Sequence, residues 1–324
     1  MRLMNSVKRF TIEIIRIKEK LVNRLLLWTM YNDSKVVDII ERIICHGRKK
    51  VAFYGRCHEN FYYYTLNQCK TFKKKYIYVR IGQVGLPSSK LKNKYFNNVN
   101  IWKKMDVIIY NLGISIDEDT IGFEEIRRSL SDKTRCIALT NAAFKGYFPQ
   151  HTDKIFKNES LLFRGDKNLN KLIEAGQHTE IKKLENLDYY SKESVNAFFD
   201  SNVEKVKIYE KKCDIKIADY IEKYGKHRIL YYSMTHCVED VMIELTARIM
   251  VALGLDAKEL SEINLEFAPK YNTHMEAVYP SVCEGLGISL KTLDTWWIVP
   301  GESERFLFGD YIEYYYNLGR KMIM

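Results

Sequence analysis

The sequence predicts an α/β fold in which a parallel sheet is flanked by helices, with an N-terminal helical extension and a helical cap. From residue 51 onward, short and almost continuously apolar runs recur. Runs of about four to six such residues are typical of strands buried on both faces. Helical patterns separate the runs, which gives the alternation of βαβ units. The chain has 324 residues, of which 46% are hydrophobic, so it can bury a sizeable core.

Residues 1–47 carry two helical patterns that form the predicted extension. The second pattern begins after Asp33 and Ser34, residue types that cap helices, and places apolar residues at helical spacing. The first helix could pack on the core or on another subunit, or it could lie on a membrane surface. We favour packing against protein, because the polar face of this helix carries acids as well as bases.

Five apolar runs predict the strands, and the segments around them define the expected domains. The runs are residues 51–54, 76–79, 107–110, 136–139 and 229–232. Residues 154–226 interrupt the alternation with a charged, helical pattern, for which a solvated helical layer is the alternative to an inserted cap. The predicted domains are an α/β core of 48–153 and 227–255, a helical cap of 154–226, and an aromatic-rich segment, 256–324, packed on the core.

Composition and motifs exclude several classes of protein. The net charge of +10 favours an anionic partner, such as nucleic acid, an anionic lipid or a phosphorylated cofactor, and a solvated lysine-rich surface is the alternative. No zinc finger or RNP-type strand indicates nucleic acid. The seven cysteines include no CxxC pair, which indicates reduced thiols in a cytoplasm. No uncharged run approaches the roughly 20 residues of a membrane span. Without GxxxxGKS, GxGxxG or HExxH motifs, P-loop kinases, Rossmann dehydrogenases and metal hydrolases are disfavoured, and no metal is expected.

Three residues that follow predicted strands are candidates for catalysis. Cys57 follows the first strand and opens a helix, whose N-terminus lowers a thiol pKa and offers amides to an oxyanion. Asn111 follows the third strand and is a candidate oxyanion donor, and His236 follows the fifth and is a candidate general base. Because ligands bind beyond the carboxyl ends of parallel strands, we expect all three in one pocket. The structural alternatives are a small buried thiol, a turn asparagine and a capping histidine.

An aromatic loop, residues 142–151, is the second candidate region. It contains Lys145, Gln150 and His151, which could clamp a phosphate or stack a base, and a simply packed loop is the alternative. Arg56 and His58 flank Cys57 and would stabilise both a thiolate and an oxyanion beside it.

Three short motifs, at residues 54–58, 146–150 and 232–236, resemble those of the WcbI-type capsular polysaccharide biosynthesis proteins. Residues 54–58, Tyr-Gly-Arg-Cys-His, are similar to the Gly-x-Cys-Gln turn of that family. Residues 146–150, Gly-Tyr-Phe-Pro-Gln, resemble its aromatic–Pro–Gln segment. Residues 232–236, with the helix that ends in Leu-Gly-Leu at 253–255, look like its His-Pro turn and long helix. The resemblance covers about residues 50–255, and His58 and Cys237 depart from the family's Gln and Pro.

The resemblance implies a coenzyme A-binding O-acetyltransferase that acts on a bacterial surface polysaccharide or its precursor. It also implies an SGNH/flavodoxin-like core, distantly similar to SGNH/GDSL hydrolases, with Cys57 near the position of their nucleophilic serine. The partners would be acyl-CoA and a glycan or nucleotide-sugar acceptor, in the bacterial cytoplasm. The alternatives are an SGNH-like or thiol esterase that uses water, and a non-catalytic CoA- or sugar-binding protein of a polysaccharide locus.

On this basis each candidate residue receives an expected role. Cys57 would be the nucleophile or an oxyanion-site residue, His236 the general base, and Asn111 the donor to the tetrahedral oxyanion. The residues expected to bind the anionic cofactor are Gly55, Arg56, His58, Lys145, Gln150 and His151.

Overall fold

The chain divides into two compact units. The computed structural model describes residues 2–31, 35–82, 95–113, 121–152, 165–266, 268–270, 276–289, 297–298 and 305–323. Unit 1 consists of Met1–Asn141, Cys213–Ile215 and Thr246–Ala268. Unit 2 consists of Ala142–Lys212, Lys216–Leu245 and Pro269–Met324. The Asp33–Ser34 cap and the start of the predicted helical cap, 154–164, lie outside the described residues.

The helices of the described residues agree with the helical patterns of the sequence. In chain order they are α1 Arg2–Tyr31, α2 Lys35–Cys45, α3 Glu59–Leu66, α4 Lys70–Lys75, α5 Val99–Trp102, α6 Phe123–Ser129, α7 Lys167–Ala175, α8 Lys192–Glu210, α9 Ala218–Tyr224, α10 Glu239–Ala252, α11 Pro280–Leu286 and α12 Phe308–Ile323. Two further segments, His178–Glu185 and Lys258–Glu262, are 3-10 helices. Within the described ranges, no helix is both long enough and apolar enough to cross a membrane.

Unit 1 contains a parallel sheet of four strands. The strands are β1 Lys49–Tyr54, β2 Tyr76–Val79, β3 Val107–Asn111 and β4 Arg135–Leu139. Their order is β2-β1-β3-β4, and every neighbouring pair is parallel. The predicted α/β fold is therefore confirmed, and four of the five apolar runs form its sheet.

Helices pack on both faces of this sheet. Side chains alternate along a strand, so Tyr54 and Phe53 of β1 point to opposite faces. Tyr54 lies in a cluster with Trp102 of α5 and Phe123 of α6. Phe53 stacks on Tyr62 of α3, with ring centroids 5.5 Å apart. Burying such side chains stabilises the fold by about 1.5–3 kcal/mol each, which explains why nearly unbroken apolar runs form the strands.

The fifth apolar run, 229–232, does not join this sheet, and that prediction is wrong. Its residues instead contribute to β7 Tyr231–Ser233, which pairs antiparallel with β8 His236–Cys237 in unit 2. The free edge of β4 is bonded by the short segment Cys213–Ile215, where Ile215 forms a parallel bridge with Leu139. An apolar run shows that a strand is buried but not which partner it pairs with, so the sequence could not distinguish the two arrangements.

Unit 2 is mainly helical and contains small two-stranded ladders. Besides β7 and β8, the ladders are β5 His151–Thr152 with β6 Gly165–Asp166, and β9 Trp297–Ile298 with β10 Arg305–Phe306. Asp166 caps α7, because its Oδ1 accepts hydrogen bonds from the amides of Asn168 (2.9 Å) and Leu169 (3.0 Å). The Tyr279 hydroxyl donates to Oδ2 of the same carboxylate at 2.8 Å. This buried network joins segments that are far apart in sequence.

Candidate functional site

The turn between β1 and α3 places Cys57 at the start of a helix, as the sequence predicts. Hydrogen bonds from Glu59 N to Arg56 O and from Asn60 N to Cys57 O, both 3.0 Å, begin the helical turn before α3 itself. Arg56 is exposed, Cys57 is half-buried and His58 is buried. The thiol therefore lies beside the first amides of the helix.

Burial decides the proton affinity of the Cys57 thiol. Removal from water raises the pKa of Cys57 above its ordinary value. Hydrogen bonds from the backbone amides of His58 and Cys57, and the charge of Arg56, act in the opposite direction but do not overcome burial. The expectation of a lowered thiol pKa is thus wrong, although the groups that would lower it are present.

Cys57 nevertheless differs from the other cysteines. Burial raises the pKa of Cys69 to about 11 and of Cys283 to about 12, with no backbone amide opposing the shift. Cys57 and Cys136 are half-buried, and the remaining cysteines are buried. Cys57 thus combines partial exposure with backbone amides that favour its thiolate, which suits a reactive or ligand-binding thiol.

Asn111 lies against the beginning of the Cys57 turn. Its Nδ2 donates to the carbonyl of Thr140, just beyond β4, at 3.0 Å. A Cβ atom on Gly55 would lie only 2.6 Å from Asn111 Oδ1, so this close approach requires glycine at position 55. Residues at or just beyond the ends of β1, β3 and β4 therefore meet at the carboxyl edge of the sheet, as the strand-end pattern predicts for Asn111 and the Cys57 turn.

Thr140 adds a polar group at this edge, although it was not among the catalytic or cofactor-binding residues predicted from the sequence. The residue is fully buried, and its Oγ1 has no hydrogen-bond partner within the described part of the chain. A buried hydroxyl without a partner is destabilising unless a ligand or solvent bonds it. Its position directly after β4 is the feature of the sequence that could have identified it as a candidate site residue.

The loop of residues 142–151, in unit 2, is largely packed. Tyr147 is buried, and its hydroxyl donates to the carbonyl of Gly225 at 2.8 Å. Gln150 is buried too, and its Nε2 donates to the carbonyl of Ala277. Lys145 is exposed. Of the predicted cofactor-binding residues in this loop, Lys145 therefore presents its charge to solvent, whereas Gln150 supports the loop.

His236 lies in the β7–β8 hairpin of unit 2. Its Nδ1 is 2.9 Å from Ser233 Oγ, and this hydrogen bond fixes the orientation of the ring. Since β7 is not a strand of the parallel sheet, the position of His236 does not follow from the carboxyl edge of that sheet. The premise on which it was grouped with Cys57 and Asn111 is wrong.

Glu276, which was not among the residues predicted from the sequence, connects the hairpin turn to the loop of residues 142–151. Its Oε1 accepts a hydrogen bond from Met234 N at 3.3 Å, and its Oε2 lies 3.5 Å from His151 Nδ1. The side chains of His151 and Glu276 are only 8% and 10% exposed, so this pair is well shielded from solvent. Phe144 N also donates to Met234 O at 2.8 Å. The structure therefore brings two of the three sequence motifs together.

No metal centre is evident in the ranges that the structure describes. These residues contain no group of three or more His, Cys, Asp or Glu side chains suited to hold a metal ion.

Comparisons with known proteins identify a matching family and a similar solved structure. The family model described as polysaccharide biosynthesis enzyme WcbI matches residues 99–258. The chain is also similar to the solved structure of WcbI, described as the native protein without a disulfide bond between CoA and one of its cysteines. The TM-score is 0.68 at 18% identity, over 85% of this chain and 90% of that chain, so this likeness shows the fold. No curated protein matches the chain significantly.

Proposed function

Because the chain belongs to the family of the polysaccharide biosynthesis enzyme WcbI, we propose that it transfers an acyl group from a coenzyme A thioester to a sugar hydroxyl. The family match over residues 99–258 includes the motifs at 146–150 and 232–236 and supports a role in polysaccharide biosynthesis. The acceptor would be a bacterial surface polysaccharide or its precursor. Action in the cytoplasm would suit both CoA thioesters and reduced thiols.

The observation that carries this proposal is the turn that holds Cys57. A partly exposed thiol lies against two backbone amides at the start of a helix, and the exposed Arg56 is its neighbour. The description of the WcbI structure mentions a disulfide bond between CoA and one cysteine of that protein, and says that this structure lacks the bond. We therefore assign Cys57 to the thiol end of CoA.

In acyl transfer, Cys57 would attack the thioester carbonyl, and the acyl–sulfur bond to Cys57 would form as the bond to CoA breaks, with the departing CoA thiolate taking up the proton that Cys57 gives up. The acceptor hydroxyl would then attack the acyl-Cys57 thioester, lose its proton to His236 and release the Cys57 thiolate as the ester forms. The amides of Cys57 and His58 would stabilise the oxyanion that develops on the carbonyl oxygen. Asn111, fixed at the sheet edge by Thr140, is a further proposed donor to that oxygen. The raised pKa of Cys57 requires its proton to leave as the substrate binds or reacts.

His236 is the proposed general base for the acceptor hydroxyl. The Ser233 hydrogen bond holds the ring through Nδ1, and base catalysis would use Nε2. For the phosphates of CoA, Arg56 and Lys145 are the proposed ligands because both cations are exposed. Gln150, His151 and His58 are buried, so we propose that they shape the CoA-binding segments, while Gly55 gives Asn111 its space.

The role of Cys57 is tested by thiol–disulfide exchange with CoA disulfide. The Cys57 thiolate would attack one sulfur, form a mixed disulfide and release one CoA thiolate, which a mass spectrum of the intact protein detects. Cys57→Ala should abolish this adduct, whereas Cys136→Ala, at the other half-buried cysteine, should retain it. An adduct that persists in Cys57→Ala would contradict the assignment.

The raised pKa of Cys57 predicts how its alkylation rate depends on pH. Because burial raises its pKa, alkylation of Cys57 by iodoacetamide should still accelerate as the pH passes 9.0, the ordinary pKa of a thiol. Peptide mass spectrometry after brief labelling at several pH values measures this profile. A rate that is already maximal at pH 7 would show that the amides outweigh burial.

Binding of CoA without turnover is a second candidate, favoured by the raised pKa of Cys57. An assay of CoA release from acetyl-CoA, with oligosaccharide and nucleotide-sugar acceptors, separates the two. Acceptor-dependent release that Cys57→Ala and His236→Gln both abolish would support transfer. CoA binding by calorimetry without release under any of these conditions would favour the binding role.

A further inference from the structure

Helix α1 exposes a row of large apolar side chains. Ile17, Leu21, Leu25 and Trp28 are 50%, 59%, 43% and 46% exposed. They are spaced by four, four and three residues, so they lie on one face of the helix. We call these four residues the apolar stripe. Single exposed apolar residues are ordinary on proteins, but an aligned group marks an interaction surface.

The apolar stripe is not a core face that has failed to pack. Leu26, Leu27 and Met30, on the other side of α1, are buried in the core of unit 1. Asn23 fixes the helix further, because its Nδ2 donates to Arg80 O at 3.0 Å and its Oδ1 accepts from Arg80 N at 2.7 Å. Rotating α1 to bury the stripe would expose the core residues and break these bonds.

The neighbouring helix α2, which packs against α1, also exposes large apolar side chains. Its Ile39 and Ile43 are 58% and 69% exposed and lie four residues apart, on one face of the helix. Together with the apolar stripe they make six exposed apolar side chains, and Tyr31 at the end of α1, 39% exposed, is a seventh among the described residues of the two helices.

Among the side chains that the structure describes on these two helices, the exposed charges are basic. Lys18, Lys20 and Arg24 of α1 are exposed, as is Arg42 of α2. The acids whose side chains are described on these helices are engaged elsewhere, since Glu19 accepts from the Tyr63 hydroxyl and Glu41 pairs with Lys50. The acids of α1 were the sequence-based reason to favour packing against protein, and Glu19 is turned to a partner within unit 1.

We propose that the apolar stripe of α1, with the exposed residues of α2, binds an anionic lipid membrane. The apolar stripe would enter the boundary between headgroups and acyl chains, with Trp28 at headgroup level, and the lysines and arginines would meet lipid phosphates. A second copy of this chain fits less well, because two such surfaces would oppose like charges. The proposal does not depend on acyl transfer, since membrane binding needs neither CoA nor an acceptor.

Co-sedimentation of the full-length protein with vesicles tests this proposal. We expect it to sediment with phosphatidylcholine vesicles that contain phosphatidylglycerol, less with phosphatidylcholine alone, and less at high salt. The double variant Ile17→Ser/Leu21→Ser should lose affinity by about tenfold or more. Lys20→Glu/Arg24→Glu should lose the preference for anionic vesicles. Val251→Ser is the matched control, because Val251 is 67% exposed on α10, and it should bind like the wild type.

Three results would overturn the proposal. One is wild-type protein that sediments with neither vesicle, and another is a stripe variant that binds as tightly as the wild type. The third is a wild-type dimer, seen by light scattering without vesicles, that the double variant converts to a monomer, which would assign the stripe to a second copy. Circular dichroism should show unchanged melting of the variants, since the replaced side chains are exposed.

Discussion

The Cys57 turn and the His236 hairpin are both short polar segments next to apolar strands, yet different forces position them. The Cys57 turn follows directly from β1 and leads directly into α3, so local sequence places it. The His236 hairpin is joined to the loop of residues 142–151 through Glu276, a residue remote from both in sequence. The Cys57 turn should therefore tolerate mutations elsewhere in the chain. The position of the His236 hairpin, by contrast, depends on the few buried polar contacts of Glu276.

The largest expected effect concerns Asp166, which pairs with His151 in the β5–β6 ladder. Burial raises the pKa of Asp166 to about 6 from its ordinary 3.8. A raised pKa means that the folded protein binds the Asp166 proton more tightly than the unfolded chain does, so protonation of Asp166 stabilises the fold. This contribution is complete below about pH 4 and is lost as the pH rises through 6. Relative to Asp166→Asn, the wild type should lose about 2–3 kcal/mol of unfolding free energy between pH 4 and pH 7.

Urea unfolding of both proteins across this pH range measures the Asp166 effect. Above about pH 7, where Asp166 is ionised in both the folded and the unfolded state, the difference between the two should stay constant. A difference that is independent of pH from 4 to 7 would show that Asp166 titrates normally.

The next effect concerns the carboxylate that joins loop and hairpin. Glu276→Ala removes the acceptor of Met234 N and the partner of His151, and should cost about 2 kcal/mol of unfolding free energy. Glu276→Gln keeps an acceptor and should cost less. Thermal unfolding gives the comparison, with the exposed Glu284→Gln as a control that should be neutral. Equal stability of all three variants and the wild type would remove Glu276 from its bridging role.

A smaller effect is expected at the Cys57 turn. The new Cβ in Gly55→Ala would force the Asn111 side chain away and break its bond to Thr140, at a cost of about 1–2 kcal/mol. Asn111→Ala in the same chain should relieve the collision, so the two substitutions together should cost less than their sum. Chemical denaturation of the double-mutant cycle measures this coupling. Strict additivity would mean that the close approach is unimportant.

The smallest effect is expected at Thr140. Thr140→Val removes a buried hydroxyl that has no partner in the described residues, so the ligand-free protein should keep its stability or gain up to about 1 kcal/mol. If CoA or the acceptor bonds this hydroxyl, the thermal shift that the ligand produces should shrink in the variant. An unchanged shift with every ligand would place Thr140 outside the binding site.

The sequence predicts well whatever depends on neighbouring residues. The strands β1 to β4, the start of a helix beside Cys57 and the meeting of Asn111 with the strand end all follow from apolar runs and the residues after them. Properties set by tertiary packing were not accessible. The strand partner of residues 229–232, the role of Glu276 and the direction of the Cys57 pKa shift each depend on contacts or burial created by distant parts of the chain.

The segment Cys213–Ile215 has a consequence for synthesis on the ribosome. It bonds the outer edge of β4, since Thr140 N donates to Ile215 O at 3.0 Å and Ala138 N donates to Asp214 Oδ2 at 2.7 Å. During translation, β4 is complete long before these three residues emerge. A nascent chain or a fragment that ends before residue 213 would therefore present the unpaired backbone of β4, a template for pairing with another chain. Truncations placed inside the preceding helix α8 should accordingly aggregate rather than yield a smaller folded protein.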